Sequence, residues 1–289
     1  MDDPELNTEI YINVLQILYA LLFNGYDPDM LISNFEYAQT LLIQSQTFSK
    51  FNNSDIATIS LRIFSTSLSE NSYFENEQIQ QVLSLFNEDF IAQLGMMIGQ
   101  EENTDFIKCI IDRLIYYQID ITPIISYSLL RVLRIPHAIQ SKARLNLLAI
   151  IEKLTYDGIF DPDYEFIDRI AEIAEKGYFD EKKISLLIIC DIAEQNFHKI
   201  ENYEDVFPTL IDFLLNDDRS IIIPILKTIH DLIYGSEQFI GYILSHEDDM
   251  QILHDIVFDS EIQNIPQCKK IISDINLKME EVLHNSEES

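Results

Sequence analysis

The sequence has no tryptophan and spreads only three cysteines, seven glycines and eight prolines over 289 residues. So few glycines and prolines leave too little turn chemistry for a many-stranded all-β protein. Cys109, Cys190 and Cys268 are far apart and form no Cys-x-x-Cys pair. That excludes a zinc ribbon or a disulfide framework and points to a reducing compartment. Cys109 and Cys190 fall in or beside apolar phrases, where a packing role is expected. The start, Met1-Asp2-Asp3-Pro4-Glu5, lacks the basic region of a signal peptide. The longest apolar stretch, from Ile121 to Ile135, is broken by Arg131 and is too short to cross a bilayer. A soluble protein of the cytoplasm or nucleus, without membrane insertion, is expected.

Cations are scarce as well. Nineteen Lys and Arg face 49 Asp and Glu, a net charge of −30. This balance opposes direct binding to nucleic acid or anionic membranes, whose affinity comes largely from cations. Catalytic signatures are missing too: there is no Gly-rich phosphate loop, Gly-x-Ser-x-Gly elbow or His-Glu-x-x-His pair. His246 is expected in a turn and His254 on the next helix, which does not build a metal site. Asp161-x-Asp163-x-Glu165 lacks the later Gly and Glu of a calcium loop and reads as a helix start. No cofactor, metal or small-molecule substrate is implied, and no enzymatic activity is expected.

What the sequence does have is a phrase that returns. Ile110-Ile111-Asp112-Arg113-Leu114 is followed by Ile150-Ile151-Glu152-Lys153-Leu154 and Ile188-Ile189-Cys190-Asp191-Ile192. Thr228-Ile229-His230-Asp231-Leu232 and Ile271-Ile272-Ser273-Asp274-Ile275 complete the set. The closing residues lie 40, 38, 40 and 43 positions apart, a period that belongs to stacked helical repeats. Leu68 lies 46 residues before Leu114, and Leu21 or Leu22 a similar distance earlier. These weaker matches suit the atypical end units of a stack.

Helical spacing of apolar residues predicts helices over 6–23, 29–44, 54–69, 77–85, 88–98, 105–117, 122–135 and 141–155. Further helices are predicted over 163–176, 181–194, 203–215, 219–234, 237–244, 248–258 and 267–283. Asp27-Pro28-Asp29 and Asp161-Pro162-Asp163 supply N-terminal caps. Gly158, Gly177 and Gly235 are placed for left-handed C-terminal caps, and Pro224 should start or kink its helix.

The unit resembles the armadillo repeat, most clearly from Val206 to Leu277. There Phe207–Leu215 looks like a second helix and Arg219–Tyr234 like a third. Gly235–Leu244 looks like the turn and first helix of the next unit. The two-helix HEAT repeat is the closest alternative. The resemblance implies an all-α, right-handed α-α superhelix of six to seven repeats of about 40 residues. One domain would cover 1–284, with atypical units over 1–100, better-defined ones over 101–284, and a disordered tail at 285–289. It also implies a concave groove lined by the third helices.

In armadillo proteins an Asn before the closing Leu commonly grips a partner's backbone, and importin-α types add a Trp four residues earlier. The matching positions here are Ser67, Arg113, Lys153, Asp191, Asp231 and Asp274, then Ile63, Cys109, Ala149, Leu187, Lys227 and Lys270. None is Asn or Trp, so specificity for basic import signals is not implied.

Charge separates by helix type. The third-helix windows 54–69, 103–116, 141–154, 180–194, 219–233 and 267–281 hold 13 Lys/Arg and 12 Asp/Glu. The remaining 200 residues hold 6 and 37. Between Ile121 and Ile151 the only charges are Arg131, Arg134, Lys142 and Arg144. Two readings of the groove-helix cations stay open. They pair with acids on neighbouring repeats, or Arg113, Arg144 and Lys153 accept an acidic partner segment while Asp191, Asp231 and Asp274 favour a basic one. With Lys227 and Lys270 these are the candidate partner-binding residues. The expected function is a protein-binding scaffold or adaptor holding protein or peptide segments in the groove. A transport adaptor of importin-α type and a structural or regulatory subunit of a larger complex are the alternatives, with a helical-repeat nucleic-acid glycosylase behind them.

Overall fold

The computed structural model describes residues 4–24, 34–40, 54–69, 74–97, 103–119, 121, 133, 142–200, 203–215, 219–258 and 266–287. These residues are mostly helical, joined by turns and short irregular stretches, with no strand among them. The chain forms two compact units, residues 1–135 with 141–150 and residues 136–140 with 151–289. The division falls inside the second phrase, between Ile150 and Ile151. Among the described residues no helix is long and apolar enough to cross a membrane.

The helices are α1 (Pro4–Phe23), α2 (Ser54–Leu68), α3 (Asn76–Leu83), α4 (Glu88–Met97), α5 (Thr104–Tyr116), α6 (Lys142–Tyr156) and α7 (Tyr164–Lys176). They continue as α8 (Phe179–Asn196), α9 (Phe207–Phe213), α10 (Arg219–Gly235), α11 (Glu237–Ser245), α12 (Glu247–Phe258) and α13 (Pro266–Glu287). In the first unit the long helices pack in series, α1 on α2 and α2 on α5. In the second, α8 packs on α10 and α10 on α13, while α7, α9, α11 and α12 fill the intervals. This is the all-helical, repeat-like packing that the period implies.

Side-chain hydrogen bonds between these helices carry the same period. Within the first unit, Thr58 Oγ1 donates to Asn103 Oδ1 at 2.8 Å across 45 residues. Cys109 Sγ reaches the Ser65 carbonyl across 44, and Asn146 Nδ2 donates to Asp105 at 2.9 Å across 41. Within the second, Gln195 donates to the Thr155 carbonyl across 40 residues. Tyr234 donates to the Asp274 carbonyl at 3.1 Å, again across 40. The longer step between Leu68 and Leu114 is therefore a physical neighbour relation between α2 and α5.

The helix ends show why particular residues sit where they do. Asp163 caps α7, its Oδ1 accepting from the Phe166 N–H at 3.0 Å, and Ser236 caps α11 in the same way through Phe239. Helix α8 starts two residues before the expected Glu181, because the buried Glu181 carboxylate turns back to accept from the Tyr178 N–H at 3.1 Å. The helix expected over 203–215 is instead a 3-10 turn, Glu204–Val206, followed by α9. Pro208 lies in the first turn of α9, where its missing N–H is harmless.

Of the three glycines, only Gly158 is left-handed, at φ 66°. Gly177 has extended backbone, and Gly235 ends α10. A Cβ on Gly235 would meet the Phe197 ring at 2.5 Å, so close approach is the constraint there. Pro224 neither starts nor ends α10, which runs through it. Buried Ile221, Ile222, Ile225 and Leu226 around it offset the roughly 3 kcal/mol such a proline costs. Helix α13 continues to Glu287, so residues 285–287 are helical and not part of a tail. The cap at Asp27-Pro28-Asp29, the helix over 122–135 and most of that over 29–44 lie outside the described residues, as do Arg131 and Arg134.

Leu232→Ala, at a fully buried closing position, is expected to cost about 2–5 kcal/mol in urea unfolding. Gly158→Ala should cost about 1 kcal/mol through its positive φ. Gly241→Ala, inside α11 with open space around a new Cβ, should raise stability by about 0.5–1 kcal/mol.

Candidate partner-binding surface

Burial repeats with the phrase. The first two residues and the closing residue are buried in every copy, except that Ile271 is half-buried. The residue before the closing one is half-buried in all five: Arg113, Lys153, Asp191, Asp231 and Asp274. This follows from helix geometry, since positions i, i+1 and i+4 share the core side while i+3 lies at its edge. Two residues past the closing position each copy is exposed, as Tyr116, Tyr156, Glu194, Tyr234 and Leu277. Each long helix thus offers solvent a charged or polar side chain beside, in most copies, a large apolar one.

In the first unit the Arg113 guanidinium lies 5.6 Å from the centre of the Tyr116 ring, a cation–π contact one turn along α5. Arg144, expected to face a partner, has no exposed surface. It sits in the first turn of α6, with its side chain directed into the protein, so it is not offered to a groove. Lys142 pairs with Asp105 on α5. Of the basic residues expected to greet an acidic segment, Arg113 and Lys153 remain on the surface.

In the second unit Asp191 is the most perturbed of the candidates. Burial pushes its carboxyl up to about 7, with Glu152 on α6 and Glu194 on α8 adding to the rise and Lys227 on α10 opposing it. Its Oδ2 is buried without a hydrogen-bond partner. Lys227 is exposed and pairs with Glu194 at 3.2 Å. Asp231 meets His230 Nδ1 at 2.9 Å, and the His230 ring lies 4.8 Å from that of Tyr234. Tyr234 in turn bonds the Asp274 carbonyl and carries the Lys278 ammonium 5.8 Å from its ring centre. Lys270 is exposed on α13. The structure therefore brings Asp191 near Lys227, and Asp231 and Asp274 to either side of Tyr234.

Other candidate chemistry resolves into structure. Cys190 is buried, and burial pushes its thiol up to about 12, which suits packing and not nucleophilic attack. His246 stacks on Tyr242 with ring centres 4.1 Å apart, while His254 lies on α12 beside Asp255. Among the described residues no group of three His, Cys, Asp or Glu is arranged to hold a metal. Asp161 pairs with Lys199 beside the cap made by Asp163. An apolar gap of about 10 Å³ lined by Ile167, Ile189, Tyr203 and Leu210 is too small and dry for a substrate.

No protein-family model and no curated protein matches the chain. Solved structures of two engineered proteins, both from the Northeast Structural Genomics Consortium, are similar to it. One superposes with a TM-score of 0.55 at 10% identity, covering 84% of this chain and 97% of the other. The second gives 0.57 at 10% identity, covering 91% and 68%. At that identity the likeness is one of fold alone: an all-helical chain packed in the manner of helical repeats.

The exposed tyrosines two residues past the phrase were not among the sequence candidates. Their signal was present in the alignment of the copies, one half-turn beyond the closing residue.

A raised folded-state pKa makes Asp191 favour folding when protonated. That contribution is complete below the ordinary value of 3.8 and is lost as pH rises through about 7. Asp191→Asn should therefore match the wild type near pH 4 and exceed it at pH 8 in urea unfolding. The gain should be about 1 kcal/mol, since water reaches part of the side chain and screens the penalty.

Proposed function

We propose that this chain is a non-enzymatic, armadillo-type protein-binding scaffold or adaptor, in which segments of partner proteins lie along the faces of the long helices. The observation that carries the reading is the repeated display at the end of each phrase. A half-buried charged residue is followed three positions later by an exposed one, in five copies: Arg113 with Tyr116, Lys153 with Tyr156, Asp191 with Glu194, Asp231 with Tyr234 and Asp274 with Leu277. Fixed charges beside exposed aromatic rings on rigid helices suit recognition of a segment by side-chain contacts, the rings supplying area and the charges orientation. In the second unit α8, α10 and α13 pack in series and repeat that display at regular intervals. The partners are proteins or peptides, and the setting is the cytoplasm or nucleus.

Ion pairing within the chain narrows the partner's charge. Lys142 and Lys227 are engaged by Asp105 and Glu194, as in the reading that pairs cations with acids on neighbouring repeats. Asp231, beside His230, and Asp274 remain half-exposed on α10 and α13. In the second unit this favours a partner segment with basic side chains.

The tagged full chain and two variants should be compared by quantitative capture from cell extract. Asp231→Lys with Asp274→Lys reverses the long-helix charges, while Glu237→Lys with Glu247→Lys makes the same change at the starts of α11 and α12. Proteins retained by the wild type and by the second variant should fall at least about tenfold with the first. Equal retention by all three would defeat the proposal.

A further inference from the structure

The first helix carries an exposed apolar stripe. Leu15, Leu18 and Leu22 bury one side of α1. Tyr19 takes the Arg62 guanidinium of α2 at 5.5 Å. Ile10, Val14 and Ile17 are 49%, 40% and 60% exposed. At about 100° per residue these three share one stripe, on the side of the helix opposite Tyr19 and therefore away from α2. A helix in a repeat stack ordinarily turns a polar face outward. Helix α13, the last of the second unit, does so with Lys269, Lys270, Ser273, Glu280 and Glu281, Leu277 being the exception. Helix α1 instead presents the kind of surface a further helix would cover.

Charge selects the occupant. The first 49 residues hold seven acidic side chains and no Lys or Arg. Glu9 and Glu36 are exposed on or near α1. A second copy would set one such acidic segment against another, whereas a cationic partner would meet complementary charge on α1 itself, at Glu9. Ile10, Val14 and Ile17 follow the i, i+4, i+7 spacing of a helix seam about 10 Å long, which suits a helix laid alongside by ridge-into-groove packing. We infer that the outer face of α1 is a docking site for a cationic amphipathic helix of a partner protein. Ile10, Val14 and Ile17 receive its apolar side, and acids such as Glu9 receive its Lys and Arg. This site is separate from the long-helix display and does not rest on it.

The probe is a labelled 18-residue peptide with Leu on one helical face and Lys on the other, titrated against the full chain by fluorescence anisotropy. A peptide of identical composition in scrambled order and a Glu-for-Lys version serve as comparisons. Ile10→Gln with Ile17→Gln removes the stripe without changing charge. Both positions are exposed, so circular dichroism and the thermal midpoint should be unchanged. The amphipathic Lys peptide should bind at least about tenfold more tightly than the scrambled and Glu peptides, and the double variant should lose that advantage.

Equal binding of the scrambled peptide, or full binding by the double variant, would overturn the inference, since bulk charge or another surface would then be responsible. Wild-type self-association abolished by the double substitution would make a second copy the occupant. A lowered thermal midpoint in the variant, with no peptide bound by the wild type, would assign the stripe to a segment of this same chain. Either result rejects a cationic partner helix.

Discussion

Everything in this molecule depends on burial of a few aliphatic side chains between one long helix and the next. Ile110, Ile111 and Leu114 in the first unit and Ile188, Ile189 and Ile192 in the second are almost wholly removed from water. Thr228, Ile229 and Leu232 repeat the arrangement. Each fully buried Ile or Leu contributes on the order of 1.5–3 kcal/mol, so a single phrase outweighs any surface ion pair nearby. The hydrogen bonds that recur at 40 and 41 residues follow from that packing. They fix which side chains meet once the helices have been brought together, and each adds only about 1 kcal/mol.

The same constraint shapes the candidate binding surface. Because positions i, i+1 and i+4 of the phrase are held against the core, the residue at i+3 is left at its edge and the residue at i+6 outside. No selection for binding is needed to create such a display, but its chemistry is free to vary, and it varies from Arg113 to Lys153 to Asp191, Asp231 and Asp274. Asp191 shows the cost of placing a carboxylate at that edge. Burial and the neighbouring Glu152 and Glu194 hold its proton far above the ordinary range, and its inner oxygen has no donor.

Much of the fold was legible because it is local. Apolar spacing located α2, α5, α7 and α10 to within about two residues, and Asp163 supplies the expected cap. The failures share one cause, which is that they depend on what lies across a packing contact. Gly235 looks like a left-handed cap by position, yet the Phe197 ring dictates its smallness. Pro224 looks like a helix start or kink, yet α10 begins before it, at Arg219, and buried neighbours on both sides carry the helix through it. Arg144 looks like an exposed cation at a helix start, and only the fold puts it out of reach of solvent. Charge type is written in the sequence, whereas burial of a charge is a property of neighbours far along the chain.

Hydrogen exchange read by mass spectrometry on the full chain tests the central role of the phrases most directly. In the second unit, amides from Leu186 to Ala193 and from Leu226 to Ile233 should exchange last, because their helices hold the fully buried residues. Those of α11, with only Phe239 and Ile243 buried along its length, should exchange earlier. Protection that is uniform across the unit, or greatest in α11 and α12, would contradict the account, because the long helices would then not be the spine on which the rest is assembled.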